Sequence, residues 1–240
     1  MTASDNAPTV LVPVDVSGAE RPDPDLLELL GAAKVVLVGW YPVPDQTALE
    51  QMQEEHEDEA IERIESIAAD FPDKTDVETL VVFTRDRADT VDRVATDYDA
   101  EVVVVPKHVR TVERVLVPIR GDVNLNRIVS VLGSLLDQNE ASVTLFHAAP
   151  SGEEDLSVGE TLLAGVADRL ADAGVGRDRI DTTVVESDTP IADIVDAGMN
   201  HDVLIMGETE PSLVEHILGD VPSKVIERVG RPVLIVRDVE

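Results

Sequence analysis

The run VLVPV begins at Val10, and VLVPI begins at Val115. Short runs that are apolar throughout and rich in β-branched residues suit strands covered by helices on both faces. The correspondence continues along the chain. Val35–Trp40 (VVLVGW) answers Val143–His147 (VTLFH), Val77–Val82 (VETLVV) answers Ile180–Val185 (IDTTVV), and Val102–Val105 (VVVV) answers Val203–Met206 (VLIM). A ninth run, Val233–Val236, has no counterpart in the first half.

Helical patterns lie between the runs. Leu49–Phe71 carries Leu49, Met52, Ile61, Ile64 and Ile67 at helical spacing, with acids on the other face. Leu125–Leu136 and Thr161–Ala173 repeat the pattern, and Gly174 is placed to close the second of these helices. Ser187-Asp188-Thr189-Pro190 reads as a helix start, and a short helix is expected from Pro222 to Val229. Alternating strands and helices give parallel sheets with right-handed crossovers. The expected fold is therefore α/β, two tandem doubly wound Rossmann-like units with parallel sheets. Residues 1–110 form a first repeat that stops after its fourth strand, and residues 111–240 form a complete second one. Too few residues separate Pro106 from the second repeat to hold a glycine loop, a helix and a fifth strand.

The chain carries 49 acids against 19 basic residues, a net charge of -30, while 43% of its residues are hydrophobic. That apolar content argues for a folded chain. Acids spread along the whole sequence repel one another in dilute buffer and are screened in molar salt. We expect a cytoplasmic protein of a salt-accumulating organism. The same charge disfavours nucleic acid as a partner. With no cysteine, disulfides and thiolate chemistry are excluded. The opening residues MTASDNAPT lack a secretory pattern, and no apolar run approaches the ~20 residues that span a bilayer, so no membrane insertion is expected.

From Val203 to Arg237 the order is apolar run, glycine, loop, helix, apolar run, the arrangement with which open α/β sheets build a phosphate site at a helix N-terminus. The repeated VLVPV start and the finish GDVPSKVIERVGRPVLIVR resemble the universal stress protein family. ATP-binding members carry Gly-x2-Gly-x9-Gly-Ser/Thr after the fourth strand and an adenine-facing Asp at the end of the first. The resemblance implies a nucleotide site in the second repeat, and that site is degenerate. Gly207 and Gly219 match glycines, but Glu210 replaces the second glycine, Asp220 replaces the Ser/Thr, the spacer is one residue short, and Arg120 replaces the Asp. The first repeat keeps Asp15 but has Pro106 in the Gly207 slot. A glutamate beside a polyphosphate adds bulk and like charge, and Asp220 has another use as N-cap of the last helix.

Other candidates are weaker. Glu54-Glu55-His56-Glu57-Asp58-Glu59 reads as a solvated helix face, not a metal site, because consecutive helical residues diverge. His147 stands at a strand end where ligands bind in such folds, but reads as a packing or hydrogen-bonding residue, and Trp40 as core. Gly174-Val175-Gly176 follows a helix and is a turn. Ser17, Ser134 and Ser223 lack the context of a hydrolase nucleophile. No catalytic residue and no metal ligand is expected. The sequence points to a non-catalytic stress-response protein acting through a protein partner of unknown identity, with ATP binding lost. The alternative is a sensor of ATP or AMP, or a slow ATPase, built on residues 207–220. In the family the fifth strand commonly pairs across a dimer, so the repeats are expected to form an internal pseudo-dimer. Two chains are then expected to meet through Val233, Leu234, Ile235 and Val236.

Overall fold

A computed structural model describes residues 7–19, 21–121, 124–137, 139–152, 156–208 and 220–238. The first half runs β1 (Thr9–Asp15), α1 (Pro24–Leu29), β2 (Lys34–Pro42), α2 (Leu49–Ala68), β3 (Asp76–Thr84), α3 (Arg87–Asp97) and β4 (Val102–Val105). The second runs β5 (Arg114–Pro118), α4 (Leu125–Leu136), β6 (Ser142–Pro150), α5 (Leu156–Asp172), β7 (Ile180–Ser187), α6 (Pro190–Gly198), β8 (Val203–Gly207), α7 (Asp220–Val229) and β9 (Val233–Val236).

All nine strands belong to one sheet, in the order β3-β2-β1-β4-β9-β8-β5-β6-β7. Each half repeats the same strand order, and pairing is parallel everywhere except at the seam, where β4 and β9 run antiparallel. The expected α/β architecture is therefore present, with β9 between the halves. The association expected between chains through Val233–Val236 is corrected by this topology. Val102 pairs with Val236 and Val105 with Val233 on one side, and β8 pairs on the other, so both edges of β9 are used within the chain. All four side chains are fully buried. An apolar strand with two unsatisfied edges is costly, and the first half supplies the missing edge itself.

One face of the sheet carries a continuous core. Val10, Val12, Leu37, Val104, Val115, Val117, Leu145, Ile205 and Leu234 pack there with apolar residues of α1, α2, α4 and α5. The opposite face is divided. Residues of α3 cover Leu11, Val36 and Val103, while residues of α6 and α7 cover Leu204, Met206, Val233 and Ile235.

The antiparallel seam has a second consequence. The carboxyl ends of β1–β4 and the amino ends of β5–β9 share one edge of the sheet. Residues 106–113 link β4 to β5 along that edge. Three strand spacings of about 4.8 Å separate the two strands, roughly 14 Å, well within the reach of eight extended residues. No crossover helix is needed. Val109 and Val112 of this linker are buried, and the Asp23 carboxylate holds it, accepting from the Val109 N–H at 2.8 Å and pairing with His108 Nδ1 at 3.0 Å.

Local signals read from sequence mostly reappear. Gly174 takes φ +102 past the end of α5, and the Val175 N–H reaches back to the Leu170 carbonyl at 3.0 Å, a Schellman closure. Helix α5 begins at Leu156, earlier than its apolar spacing indicated. At α6, Pro190 opens the helix, but Thr189 makes no side-chain cap; Ser187 Oγ accepts from the Thr189 N–H and donates to Asp193 instead. Helix α7 begins at Asp220, not Pro222, so Asp220 is its first residue and not its N-cap. Proline is tolerated there because the first N–H groups of a helix have no partner within it. Two helices, α1 and α3, lay outside the sequence reading. Asp23-Pro24 and Asp86, whose side chain accepts from the Asp89 N–H at 3.1 Å, are the signals that mark them.

Candidate functional site

Open α/β sheets bind ligands outside the carboxyl ends of their strands, where neighbouring strands send their chains to opposite faces. Here that rule gives two places, on opposite edges of the sheet. In the first half it is the gap between β1 and β4. Asp15 ends β1, and its Oδ1 is already engaged by Ser17, from the N–H at 2.8 Å and from Oγ at 2.7 Å. Trp40 stands opposite Asp15 in register, partly exposed and not in the core, with the Arg87 guanidinium 5.2 Å from its ring centre. Pro106 follows β4, and the pinned linker runs along the edge. Of its backbone N–H groups, that of Val109 donates to Asp23 and that of Glu113 to Asp202.

In the second half the gap lies between β5 and β8. Gly207 ends β8, and a Cβ placed on it would stand 3.2 Å from Ile128 Cδ1 and 3.9 Å from Asn124 Cβ. The glycine thus lets the first turn of α4 close against the strand end. Asn124, at φ +57 just before α4, has its Nδ2 buried without a hydrogen-bond partner. Arg120 reaches the same edge two residues beyond β5 and is exposed. Of the other residues expected in the site, Asp220 opens α7, and Glu210 and Gly219 lie outside the described residues.

Sequence reasoning missed a polar cluster on the divided face. Glu208, one residue past Gly207, is 9% exposed. Its N–H donates to the Val236 carbonyl at 2.8 Å, and its Oε2 accepts from the Asp238 N–H at 3.3 Å. Burial raises its carboxyl pKa above the ordinary value; the Asp238 N–H and the positive charge of Arg237 offset part of this, while Asp92 and Asp238 add to it. Arg237, past the end of β9, bonds to the first half through its N–H to the Glu101 carbonyl at 2.8 Å and Nη1 to the Ala100 carbonyl at 3.4 Å. The signal was there to find: a charge directly following each of two apolar strands, β8 and β9.

The remaining candidates take structural places. His147 is buried with Nδ1 2.8 Å from the Ile119 carbonyl, and its ring lies against Gly159 of α5. The acids of residues 54–59 are exposed on α2, where His56 stacks on Tyr41 at 5.0 Å. Among the described residues no group of three or more His, Cys, Asp or Glu side chains could hold a metal ion.

The sequence profile of the universal stress protein family matches residues 111–237, just over half of the chain. The chain belongs to that family. Among solved structures, this universal stress protein is similar to one from Archaeoglobus fulgidus, with 18% identity, a TM-score of 0.63, and 97% of each chain covered. It is also similar to a putative universal stress protein from Pseudomonas aeruginosa, with 12% identity and a TM-score of 0.55 over 96% of this chain and 93% of that one. At these identities the likeness concerns the fold. A search of curated proteins returned no match.

Proposed function

We propose that this universal stress protein is a non-catalytic regulator in the stress response, that it acts by contacting another protein, and that it has lost ATP binding. The observation that carries the reading is the buried carboxyl of Glu208 directly beyond Gly207, with ionisation already disfavoured by burial. Once Glu208 is ionised, a phosphate brought to this strand end adds like charge. The sequence adds Glu210 to the segment that follows and Asp220 at the start of α7. A pair of like charges about 4 Å apart costs roughly 1 kcal/mol in bulk water and about 4 kcal/mol at an effective dielectric near 20. Support also comes from the first half, where Pro106 and a linker to β5 follow β4 in place of a glycine loop and helix. On this reading residues 1–110 are a shortened copy of the family unit, residues 111–240 a complete one, and the setting is a salt-rich cytoplasm. Among the described residues no helix is long and apolar enough to cross a membrane.

Calorimetric titration of the full chain with ATP and with AMP in molar KCl tests this. Heats no larger than dilution are expected, and micromolar ATP binding overturns the reading.

One observation favours a second reading, an adenine-nucleotide sensor or slow ATPase. The buried Nδ2 of Asn124 is an unused donor beside Gly207, at the positive end of the α4 dipole. On that reading nucleotide at a hundredfold excess over Kd stabilises the chain by about 2.7 kcal/mol, visible as a raised Tm.

A further inference from the structure

We propose that Arg237 is shared between two carboxylates, Asp92 of the first half and Glu208 of the second, and that the proton on Glu208 decides which one holds it. The seam between the halves then responds to pH. Alternation along β9 puts Arg237 on the same face as Val233 and Ile235, the divided face, where α3 and α7 cover separate clusters. The same alternation along β8 puts Glu208 on the face of Leu204 and Met206. The two residues therefore stand at adjacent strand ends, facing the gap between the halves.

Arg237 is held loosely for a side chain only 15% exposed. Its Nη2 lies 3.7 Å from Asp92 Oδ1 on α3, its Nη1 lies 3.4 Å from the Ala100 carbonyl, and its Nε is buried without any acceptor. A charged N–H left unpaired in the interior is costly, so the side chain has reason to take a new acceptor when one forms. Glu208 becomes that acceptor on ionising. The charged and titratable groups around it are Arg237 and Asp238 after β9, Asp92 from α3, and Arg127 from α4, which donates to the Arg237 carbonyl at 3.2 Å. With Glu208 neutral, Asp92 is the carboxylate among the described residues that answers the Arg237 charge. With Glu208 ionised, a buried anion at the next strand end competes for the guanidinium, and the grip on α3 weakens. Glu208 is buried and little screened, whereas the Asp92 side chain is 55% exposed, so molar salt weakens the Asp92 contact first.

The test is a titration of the uniformly labelled full chain in molar KCl, following the Glu208 side-chain carboxyl and the Arg237 Nε–H by NMR. The expected result is one shared midpoint above the ordinary carboxyl range, with faster hydrogen exchange of the α3 amides above it after correction for intrinsic rates. In Glu208→Gln the Arg237 step is lost. An Arg237 Nε–H that stays still while Glu208 titrates, or that moves equally in Glu208→Gln, overturns the proposal. Should Glu208→Gln fold poorly, co-titration in the wild-type chain alone decides between the same two outcomes.

Discussion

Val104 of the first half stands directly opposite Leu234 of the second in the antiparallel ladder, and both side chains are fully buried on the continuous face of the core. The strand that sequence reasoning assigned to an interface between chains is therefore an interior element. Its loss is a folding matter before it is a matter of assembly.

Leu234→Ala should thus destabilise the chain by about 2–5 kcal/mol, the usual cost of truncating a packed leucine. Urea unfolding reads this as a lowered midpoint with little change in slope. A variant of unchanged midpoint that merely halves its mass in light scattering would show the strand at an interface between chains.

Two glycines separate close packing from open surface. A Cβ at Gly198 would stand 2.6 Å from Val229 Cγ2, so α6 and α7 approach as closely as they do because that position is bare. Gly198→Ala should cost about 1–3 kcal/mol by overpacking. At Gly165, exposed in the middle of α5, a Cβ would meet nothing within 4 Å, and Gly165→Ala should gain about 1 kcal/mol of helix propensity. Opposite shifts in thermal midpoint are expected from the same substitution.

Glu208 gives stability a pH dependence of defined sign. Its carboxyl pKa is raised in the folded chain, chiefly by burial, so between the unfolded value and the raised one the native state binds more protons. Its contribution is fully present below the unfolded pKa and is lost as pH rises through the folded pKa. Glu208→Gln should flatten this part of the profile and be relatively more stable at neutral pH. Thermal midpoints of both proteins from about pH 4.5 to 8 check it; parallel profiles would refute it.

Salt should matter more than for an ordinary protein of this size. With a net charge of -30, self-repulsion acts over a Debye length of about 10 Å at 0.1 M salt and about 3 Å at 1 M. Melting in dilute buffer and in molar KCl should differ, with the lower midpoint in dilute buffer. Equal midpoints would remove the argument for a salt-rich setting.

The strands were legible because both faces of the sheet are covered, which forces runs such as Val102–Val105 and Val233–Val236 to be apolar throughout; both have the bounds that their sequences show. The partner of β9 was not legible. Val233–Val236 carries the same apolar signature whether its free edge meets β4 of its own chain or a second molecule, since pairing uses backbone groups alone. Gly207 was found because it opens the loop after an apolar run in the family's pattern, and a Cβ there would press on Ile128 Cδ1 of α4 at 3.2 Å. Glu208 was missed because a charge after a glycine reads as loop, and only the folded seam reveals that it is buried. Arg237, read as the last residue of a motif, likewise gained its meaning from Asp92 and Ala100, more than a hundred positions away in sequence.

The place of β9 also sets a schedule for synthesis. Residues 1–105 contain every element of the first half, yet the open edge of β4 has no partner until Val233–Val236 leave the ribosome. At about 5–20 residues per second, the intervening chain takes roughly 6–25 s to appear. Throughout that interval the nascent first half presents four valines in a row on an unpaired strand edge. Such an edge invites pairing with the neighbouring nascent chain on the same message, so the early half of this protein is the part we expect to need chaperone protection.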